Sequence, residues 1–342
     1  MKVLVWLLAL GIFPLFADDP DLKTIQDKAA QGDALAEFQL GRAYHLGHGV
    51  PQDFAKAADL YRKAAAQGNE KAMYNLGYIY LNGQGINQDV ATAKQWFQKS
   101  AEKGLAAAQL EIALIYYDGP AGSQKDDALA FKWLTLAAKQ DNPQAEFDLA
   151  YLYQHGKGVP QDVPQATQWY EKAAGHGLAE ALLQIGFIYY FGDVGVKEDY
   201  VTAAKWLARA ALPNNPPNVI GAAANALGAM NENGFGIPKN QTQAITWFTK
   251  AAEMGNARAQ FNLGRLEYTG QSGKNDPAQA YVWLKLAADN KDAMAAHLLA
   301  DYMMGKGFSP EQITEGDRKV RDFELKHRRP FTPPPSDQLI RE

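Results

Sequence analysis

Two kinds of segment alternate along most of the chain. Apolar runs such as 34–46 and 72–81 are each followed by a glycine-containing turn, and then by a run such as 90–103 in which apolar positions recur every three or four residues. The first kind is typical of a helix buried on most sides, and the second of a helix with one buried face. Glycine can end a helix in the left-handed conformation. The pattern therefore predicts an all-α fold of consecutive helix pairs.

Three series of positions repeat with one period. The spacing is 36 or 37 residues, with one step of 42 between Gly186 and Gly228. The series are a small residue (Gly41, Gly77, Ala113, Ala150, Gly186, Gly228, Gly264, Ala300), a mostly tryptophan position (Leu60, Trp96, Trp133, Trp169, Trp206, Trp247, Trp283) and an Asp or Asn (Asp53, Asp89, Asp126, Asp162, Asp199, Asn240, Asp276). A fixed period of this length indicates an array of stacked repeats, here seven. We expect the small residue to let the two helices of a pair approach closely, and the Trp to fill the space between neighbouring pairs.

The Asp or Asn of each repeat stands just before the second helix. A side-chain oxygen at this position can accept a hydrogen bond from the first free N–H groups of the helix, which is worth about 1 kcal/mol. The alternative is that these carboxylates are metal ligands or acid–base groups. Their recurrence in every repeat favours helix capping.

The repeat also resembles a known family. Residues 69–104 carry its positions nearly in full, namely Leu76-Gly77, Tyr80, Gly83, Gly85, Asp89, Ala93, Trp96, Lys99, Ala101 and Gly104. This pattern is similar to the Sel1-like repeat, a relative of the tetratricopeptide repeat, and the similarity extends over about 33–307. The resemblance implies a right-handed α-solenoid of antiparallel helix pairs that binds proteins, often as an adaptor or regulator, without a cofactor.

The ends of the chain differ from the repeats. Lys2, the apolar stretch 3–13 and Ala17 predict a signal peptide over 1–17, cleaved after Ala17. The alternative, a membrane anchor, needs about 20 apolar residues. We predict an N-terminal capping helix over 18–32.

Residues 33–307 then hold the seven repeats and the first helix of a terminal half repeat, with an irregular joint at 212–218. A C-terminal capping helix is predicted over 308–327. The Pro-rich tail 328–342 cannot be helical around its prolines, and is either an extended tail or a short recognition segment.

Composition narrows the function. The 34 basic and 38 acidic residues give a formal charge of −4, which lacks the basic footprint of a nucleic-acid-binding protein. The absence of cysteine excludes disulfides and thiolate sites. No catalytic motif is recognisable, and although His45 and His48 could offer two metal ligands, nothing nearby supplies others. We predict no enzyme activity, no metal and no cofactor. The signal peptide predicts a periplasmic or secreted protein, without a membrane span after cleavage.

A partner-binding face is predicted on the first helices, which line the concave side of such a solenoid. The residues two before and one after the small residue lie three apart, on one helix face. They form a polar row beside a partly aromatic row, which suits a peptide or protein partner; alternatively, the aromatic residues pack between helix pairs and only the polar row meets solvent. The predicted residues are Gln39, Arg42, Asn75, Tyr78, Glu111, Asp148, Tyr151, Gln184, Phe187, Asn262 and Arg265.

The leading hypothesis is a monomeric, non-catalytic scaffold or regulatory adaptor of the bacterial cell envelope. Binding of peptidoglycan or another glycan by the aromatic residues of the face is an alternative. A hydrolase acting on β-lactams is a further alternative, because cysteine-rich relatives of this repeat are linked to antibiotic hydrolysis. This chain lacks their cysteines.

Overall fold

The computed structural model describes residues 22–119, 125–273, 276–304 and 307–327. The predicted signal peptide 1–17 and the tail 328–342 lie outside these residues. The described residues form seventeen α-helices and no strand, which confirms the all-α fold. In chain order, α1 to α17 are Leu22–Ala30, Ala34–Leu46, Phe54–Ala66, Glu70–Asn82, Val90–Glu102, Ala106–Asp118, Asp127–Ala138, Pro143–His155, Val163–Gly175, Ala179–Phe191, Tyr200–Ala210, Pro217–Asn233, Gln241–Glu253, Ala257–Tyr268, Pro277–Asp289, Ala293–Met304 and Pro310–His327.

The helices are organised as consecutive pairs in two compact units. Of the described residues, the first unit comprises those up to 145 together with 157–159, and the second comprises 146–156 and those from 160 onward. In the first unit α2 packs on α3, α4 on α5 and α6 on α7; in the second, α10 packs on α11, α12 on α13 and α14 on α15. This is the helix-pair solenoid that the repeats predict. None of the described helices is long and apolar enough to cross a membrane.

The repeated Asp or Asn caps each second helix, as predicted. In every repeat its side-chain oxygen accepts a hydrogen bond from the backbone N–H three residues later, for example Lys56 for Asp53 and Leu129 for Asp126. Thr92 also donates its hydroxyl to Asp89, and this bond holds the pKa of Asp89 below its ordinary value. The helix ends therefore account for these carboxylates without a metal or a reaction.

A main-chain hydrogen bond closes the turn of most repeats. The N–H of the capping residue donates to the carbonyl of a tyrosine in the first helix, as Asp53 does to Tyr44 at 2.8 Å and Asp89 to Tyr80 at 2.9 Å. In the sixth repeat Asn231 replaces the tyrosine, and Asn240 still donates to its carbonyl at 2.9 Å. The substitution therefore leaves the turn intact.

The core residue of each pair is the one that follows the Trp position. Phe97 is fully buried and lies against Gly77, and the corresponding residues Tyr61, Leu207, Phe248 and Leu284 lie against Gly41, Gly186, Gly228 and Gly264. The tryptophans are only half-buried at the edge of these clusters, and a cation covers several of them, as Lys99 does Trp96 at 4.3 Å. As predicted, they pack between neighbouring pairs: Trp96 lies against the buried cluster around Tyr61 of the first repeat, and Trp133 lies against the cluster around Phe97 of the second.

A further contact recurs along the array, although the sequence period does not predict it. A buried polar side chain near the start of a first helix meets a polar side chain at the end of the second helix of the same repeat. The pairs are Glu37 with Gln67, Gln109 with Gln140 and Glu146 with His176, each at 2.8 Å, and Gln260 with Asn290 at 3.0 Å. These pairs satisfy polar groups that would otherwise be buried at a cost.

The irregular joint is compact. Between α11 and α12, the side-chain amide of Asn215 donates to the carbonyls of Arg209 and Ala210, at 2.8 and 3.0 Å. Pro217 is the first residue of α12, where its missing N–H costs nothing. Helix α12 has 17 residues, whereas the other first helices have 12 or 13, so part of the insertion extends the helix.

Candidate functional site

Tyr78 joins the two predicted rows in the first unit. Its hydroxyl donates a hydrogen bond to Oε1 of Glu111 on the first helix of the next repeat. Its ring is buried and contacts Phe97 edge-on, with centroids 5.2 Å apart. Burial raises the pKa of Tyr78, and the charge of Glu111 adds to this effect. Tyr78, predicted to contact a partner, is therefore a packed residue that positions Glu111.

Glu111 is a carboxyl group in an environment that disfavours its charge. Burial raises the pKa of Glu111, and the hydrogen bond from Tyr78 opposes the effect. The protonated, neutral form is therefore favoured over a wider pH range than for a carboxyl group in water.

Asn75 is buried, contrary to the prediction that the polar row meets solvent. It is 0% exposed and lies beside the buried hydroxyl of Tyr61. Burial raises the pKa of Tyr61, while the interaction with the side chain of Asn75 and then the charge of Arg42 oppose the rise. Arg42 and Gln39 are half-buried. In the first unit these two remain accessible in part, and Asn75 does not.

In the second unit the predicted residues of repeats four and five are all half-buried: Asp148, Tyr151, Gln184 and Phe187. Tyr151 stacks on His155 with centroids 4.1 Å apart. Phe187 lies 5.9 Å from Phe191, one helical turn later. The interpretation that the aromatic residues pack is thus only partly correct, because these rings retain exposed surface.

A hydrogen-bonded chain runs beside this group. Tyr170 donates its hydroxyl to Gln154 at 3.0 Å, and Gln154 donates its amide to Asp193 at 2.9 Å. Burial raises the pKa of Tyr170, and the negative charge of Asp148 adds to it. Asp148 and Asp193 therefore both place a negative charge near Tyr170.

Asn262 and Arg265 pair with residues outside the two predicted rows. Asn262 donates to Asn225 at 3.1 Å, and Arg265 forms an ion pair with Glu232 at 2.5 Å. In the sixth repeat the equivalent positions are Ala226 and Ala229, and the polar partners are Asn225 and Glu232 on the same helix. These contacts connect α14 to α12, the first helix of the preceding repeat.

An exposed aromatic group was also missed. Phe191 is 67% exposed at the end of α10, and Tyr190 contacts it edge-on at 4.7 Å. Tyr200 stacks on Phe235 at 5.0 Å. The consecutive aromatic residues 189–191 were the available signal, but a period based on one residue per repeat does not select them.

His45 belongs to the core and not to the surface. It is 1% exposed and meets the ring of Phe54 edge-on, with centroids 5.1 Å apart, whereas His48 is exposed in the turn. The pair does not present two ligands in similar surroundings.

These features define a helical-repeat protein of the α-solenoid class. The family model described as Sel1 repeat matches seven segments, 34–69, 70–105, 106–142, 143–178, 179–212, 221–256 and 257–292. The chain belongs to the Sel1 repeat family. The matched segments leave out 213–220, where the irregular joint lies.

Two solved structures are similar over most of the chain. A protective antigen of uropathogenic Escherichia coli strains displaying an SLR fold is 30% identical, with a TM-score of 0.76 over 90% of this chain and 68% of that one. A Sel1 repeat protein from Oxalobacter formigenes is 33% identical, with a TM-score of 0.64 over 82% of this chain and 80% of that one.

Curated relatives match over shorter stretches. Chitin synthase regulatory factor 3 of Schizosaccharomyces pombe is 29% identical over 172 residues, which is 50% of this chain and 18% of that protein. A component of an ERAD-associated E3 ubiquitin-protein ligase of Arabidopsis thaliana is 32% identical over 111 residues, which is 32% of this chain and 16% of that protein. The chain spans less than a fifth of the length of either relative.

Proposed function

We propose that this protein is a non-catalytic scaffold or regulatory adaptor of the bacterial cell envelope that binds a protein segment on the face of its first helices. The observation that carries the proposal is the exposed aromatic group of the second unit, where Phe187 and Phe191 lie on one helix face. Large exposed aromatic side chains on a rigid helical surface are typical anchors for a partner. The relatives named as a regulatory factor and as a ligase component support an adaptor role.

The chemistry of the face indicates the kind of segment it would take. Apolar side chains of the partner would cover Phe187 and Phe191. Asp148 and Asp193, half-buried in the same unit and close to Tyr170, favour a partner with Lys or Arg beside its apolar residues. Charge complementarity of this kind mainly increases the rate and specificity of association.

The proposed envelope location depends on residues 1–17 and has its own test. Cells expressing the chain with a C-terminal tag are fractionated, and the N-terminus of the purified protein is sequenced. We expect the protein in the periplasm or medium, beginning at Asp18. A protein that retains Met1 and stays in the cytoplasm would rule out the location while leaving the binding proposal open.

The binding face is tested by crosslinking and mass spectrometry in envelope extract. We expect the double variant Phe187→Ala/Phe191→Ala to lose a protein partner that the wild type recovers. Leu325→Ala is the matched control, because Leu325 is 65% exposed on α17, far along the sequence from the face. Equal recovery of every partner by the wild type and the double variant would contradict the proposal.

A further inference from the structure

The last helix pair of the array is open. In each of the seven regular repeats the small residue of the first helix is buried, as Gly77 is under Phe97. The eighth small residue, Ala300 on α16, is exposed. Its counterpart twenty residues later is Val320 on α17, and Val320 instead packs against Val282 and Leu286 of α15.

Helix α17 is held on α15 by specific contacts. The hydroxyl of Tyr281 donates to Asp317 at 2.8 Å, and Gly316 leaves no room for a side chain beside the Tyr281 ring. Trp283 and Phe323 meet edge-on, with centroids 5.7 Å apart. Because these contacts fix α17, the second helix that would cover α16 is engaged elsewhere.

The uncovered side of α16 is mostly alanine and methionine, with His297 beside them in an ion pair with Asp301 at 3.0 Å. One side of the helix faces the core through Ala295, Leu298 and Tyr302. The opposite side, which we call the open face, consists of exposed residues three or four apart: Ala293, Ala296, His297, Ala300, Met303 and Met304. Met304 is 78% exposed. Methionine side chains are flexible and adapt to different partner surfaces.

The other end of the array is closed. Helix α1 covers the first repeat with Ile25 and Ala29, and it presents Lys23, Gln26 and Asp27 to solvent. Terminal elements of repeat proteins need a polar outer face for solubility. Helix α1 has such a face, and so does α17 with Arg318, Arg321 and Asp322, whereas the exposed side of α16 is mostly alanine and methionine.

We propose that the open face of α16 binds an amphipathic helix of another protein, in the position that a second helix occupies in the regular repeats. The face continues a series of interfaces within the chain, and these interfaces specify the occupant. The residue that meets the small position is Tyr, Phe or Leu in every regular repeat, and it is flanked by buried alanines, as Phe248 is by Ala244, Ala251 and Ala252. The partner helix therefore carries one bulky apolar residue, with alanine four before it and three or four after it.

This site is separate from the aromatic group of the proposed function. It uses α16, whereas Phe187 and Phe191 are on α10. The double variant Phe187→Ala/Phe191→Ala should bind a helix at the open face as the wild type does, so failure of one proposal does not imply failure of the other.

The probe is a helix of known fit, taken from this chain. A stapled, fluorescein-labelled peptide of residues 240–254 contains Ala244, Phe248 and Ala252 in a preformed helix; stapling is needed because a free helix of this length is marginal in water. Fluorescence anisotropy with the purified protein should show saturable binding. The same peptide carrying Phe248→Ala should bind about tenfold more weakly, or not at all.

Two variants of the protein complete the test. Ala300→Glu should abolish binding of the peptide, while Ala208→Glu, at an exposed position of α11, should leave it unchanged. Circular dichroism establishes that both variants fold. The proposal is overturned if the peptide does not bind, if Ala300→Glu binds it equally well, or if sedimentation velocity shows that a second copy covers the open face and Ala300→Glu disrupts that dimer.

Discussion

Phe97 lies against Gly77 so closely that a methyl group on Gly77 would stand 2.7 Å from the ring carbon Cε1. Gly77 is in the middle of a helix, where glycine is otherwise unfavourable by about 0.5–1 kcal/mol relative to alanine. The close approach of the two helices of the pair is thus the reason for the glycine.

Gly77→Ala should destabilise the protein despite its better helix propensity. We expect the free energy of unfolding to fall by about 1–3 kcal/mol, because the added methyl group overpacks the contact. Urea unfolding followed by circular dichroism measures the change. In a protein that already carries Phe97→Leu, adding Gly77→Ala should cost less stability than it does in the wild type. The third repeat already combines Ala113 with Leu134, which shows that an alanine fits beside a leucine. A stable Gly77→Ala single variant would show that the ring moves aside freely.

Phe97→Ala should cost more stability than Trp96→Ala, although Trp is the larger residue. Phe97 is fully buried, so its removal leaves a cavity worth about 3–5 kcal/mol. Trp96 is half-buried beneath Lys99, so water can fill part of the space that its removal leaves. The comparison uses denaturant unfolding of both variants under one set of conditions. The opposite order would restore the tryptophan as the central residue of the repeat.

Asp126→Ala should lower the free energy of unfolding by about 1 kcal/mol, because the N–H of Leu129 loses its acceptor at the start of α7. Asp126→Asn keeps a side-chain oxygen and should cost much less. The difference in the free energy of unfolding between the two variants, measured by thermal or urea unfolding, separates the loss of the capping hydrogen bond from the loss of the negative charge. If both variants lose the same stability, the charge and not the hydrogen bond is responsible.

Glu111→Gln should stabilise the protein more at neutral than at acidic pH. Burial raises the pKa of Glu111 in the folded state, so the stability associated with its neutral form is complete below the ordinary pKa of the group and is lost as the pH rises through the raised value. Glutamine stays neutral and avoids this loss. Unfolding of both proteins at about pH 4 and about pH 7 measures the change. Asp118→Asn, an exposed carboxylate on the same helix, is the control.

The sequence predicted the fold because its signals are local. The glycine-containing turn and the Asp or Asn cap both act within one repeat, and the structure has the cap in each repeat. The sequence could not predict that Phe97, rather than its neighbour Trp96, fills the core. Adjacent helix residues differ by about 100° in direction, and the period alone does not say which of them faces inward.

The binding face was predicted less well, for a related reason. The choice of positions on the first helices placed Tyr78 and Glu111 together correctly, but it could not show that Asn75 is buried while Phe187 keeps exposed surface. Those differences arise from neighbours on other repeats. The pairing of Glu146 with His176, thirty residues apart, is likewise invisible to a period of 36.

The main-chain hydrogen bond that closes the turn of most repeats has a consequence for how such proteins diversify. The main-chain carbonyls of Tyr44 and Tyr80 accept this bond, and that of Asn231 does so equally, so the turn forms with either side chain at that position. Because both partners of this bond lie in one repeat, a gene segment encoding a whole repeat carries the closed turn with it when it is exchanged or duplicated. Recombination can then lengthen the array or replace its recognition surface while the backbone connection is inherited unchanged.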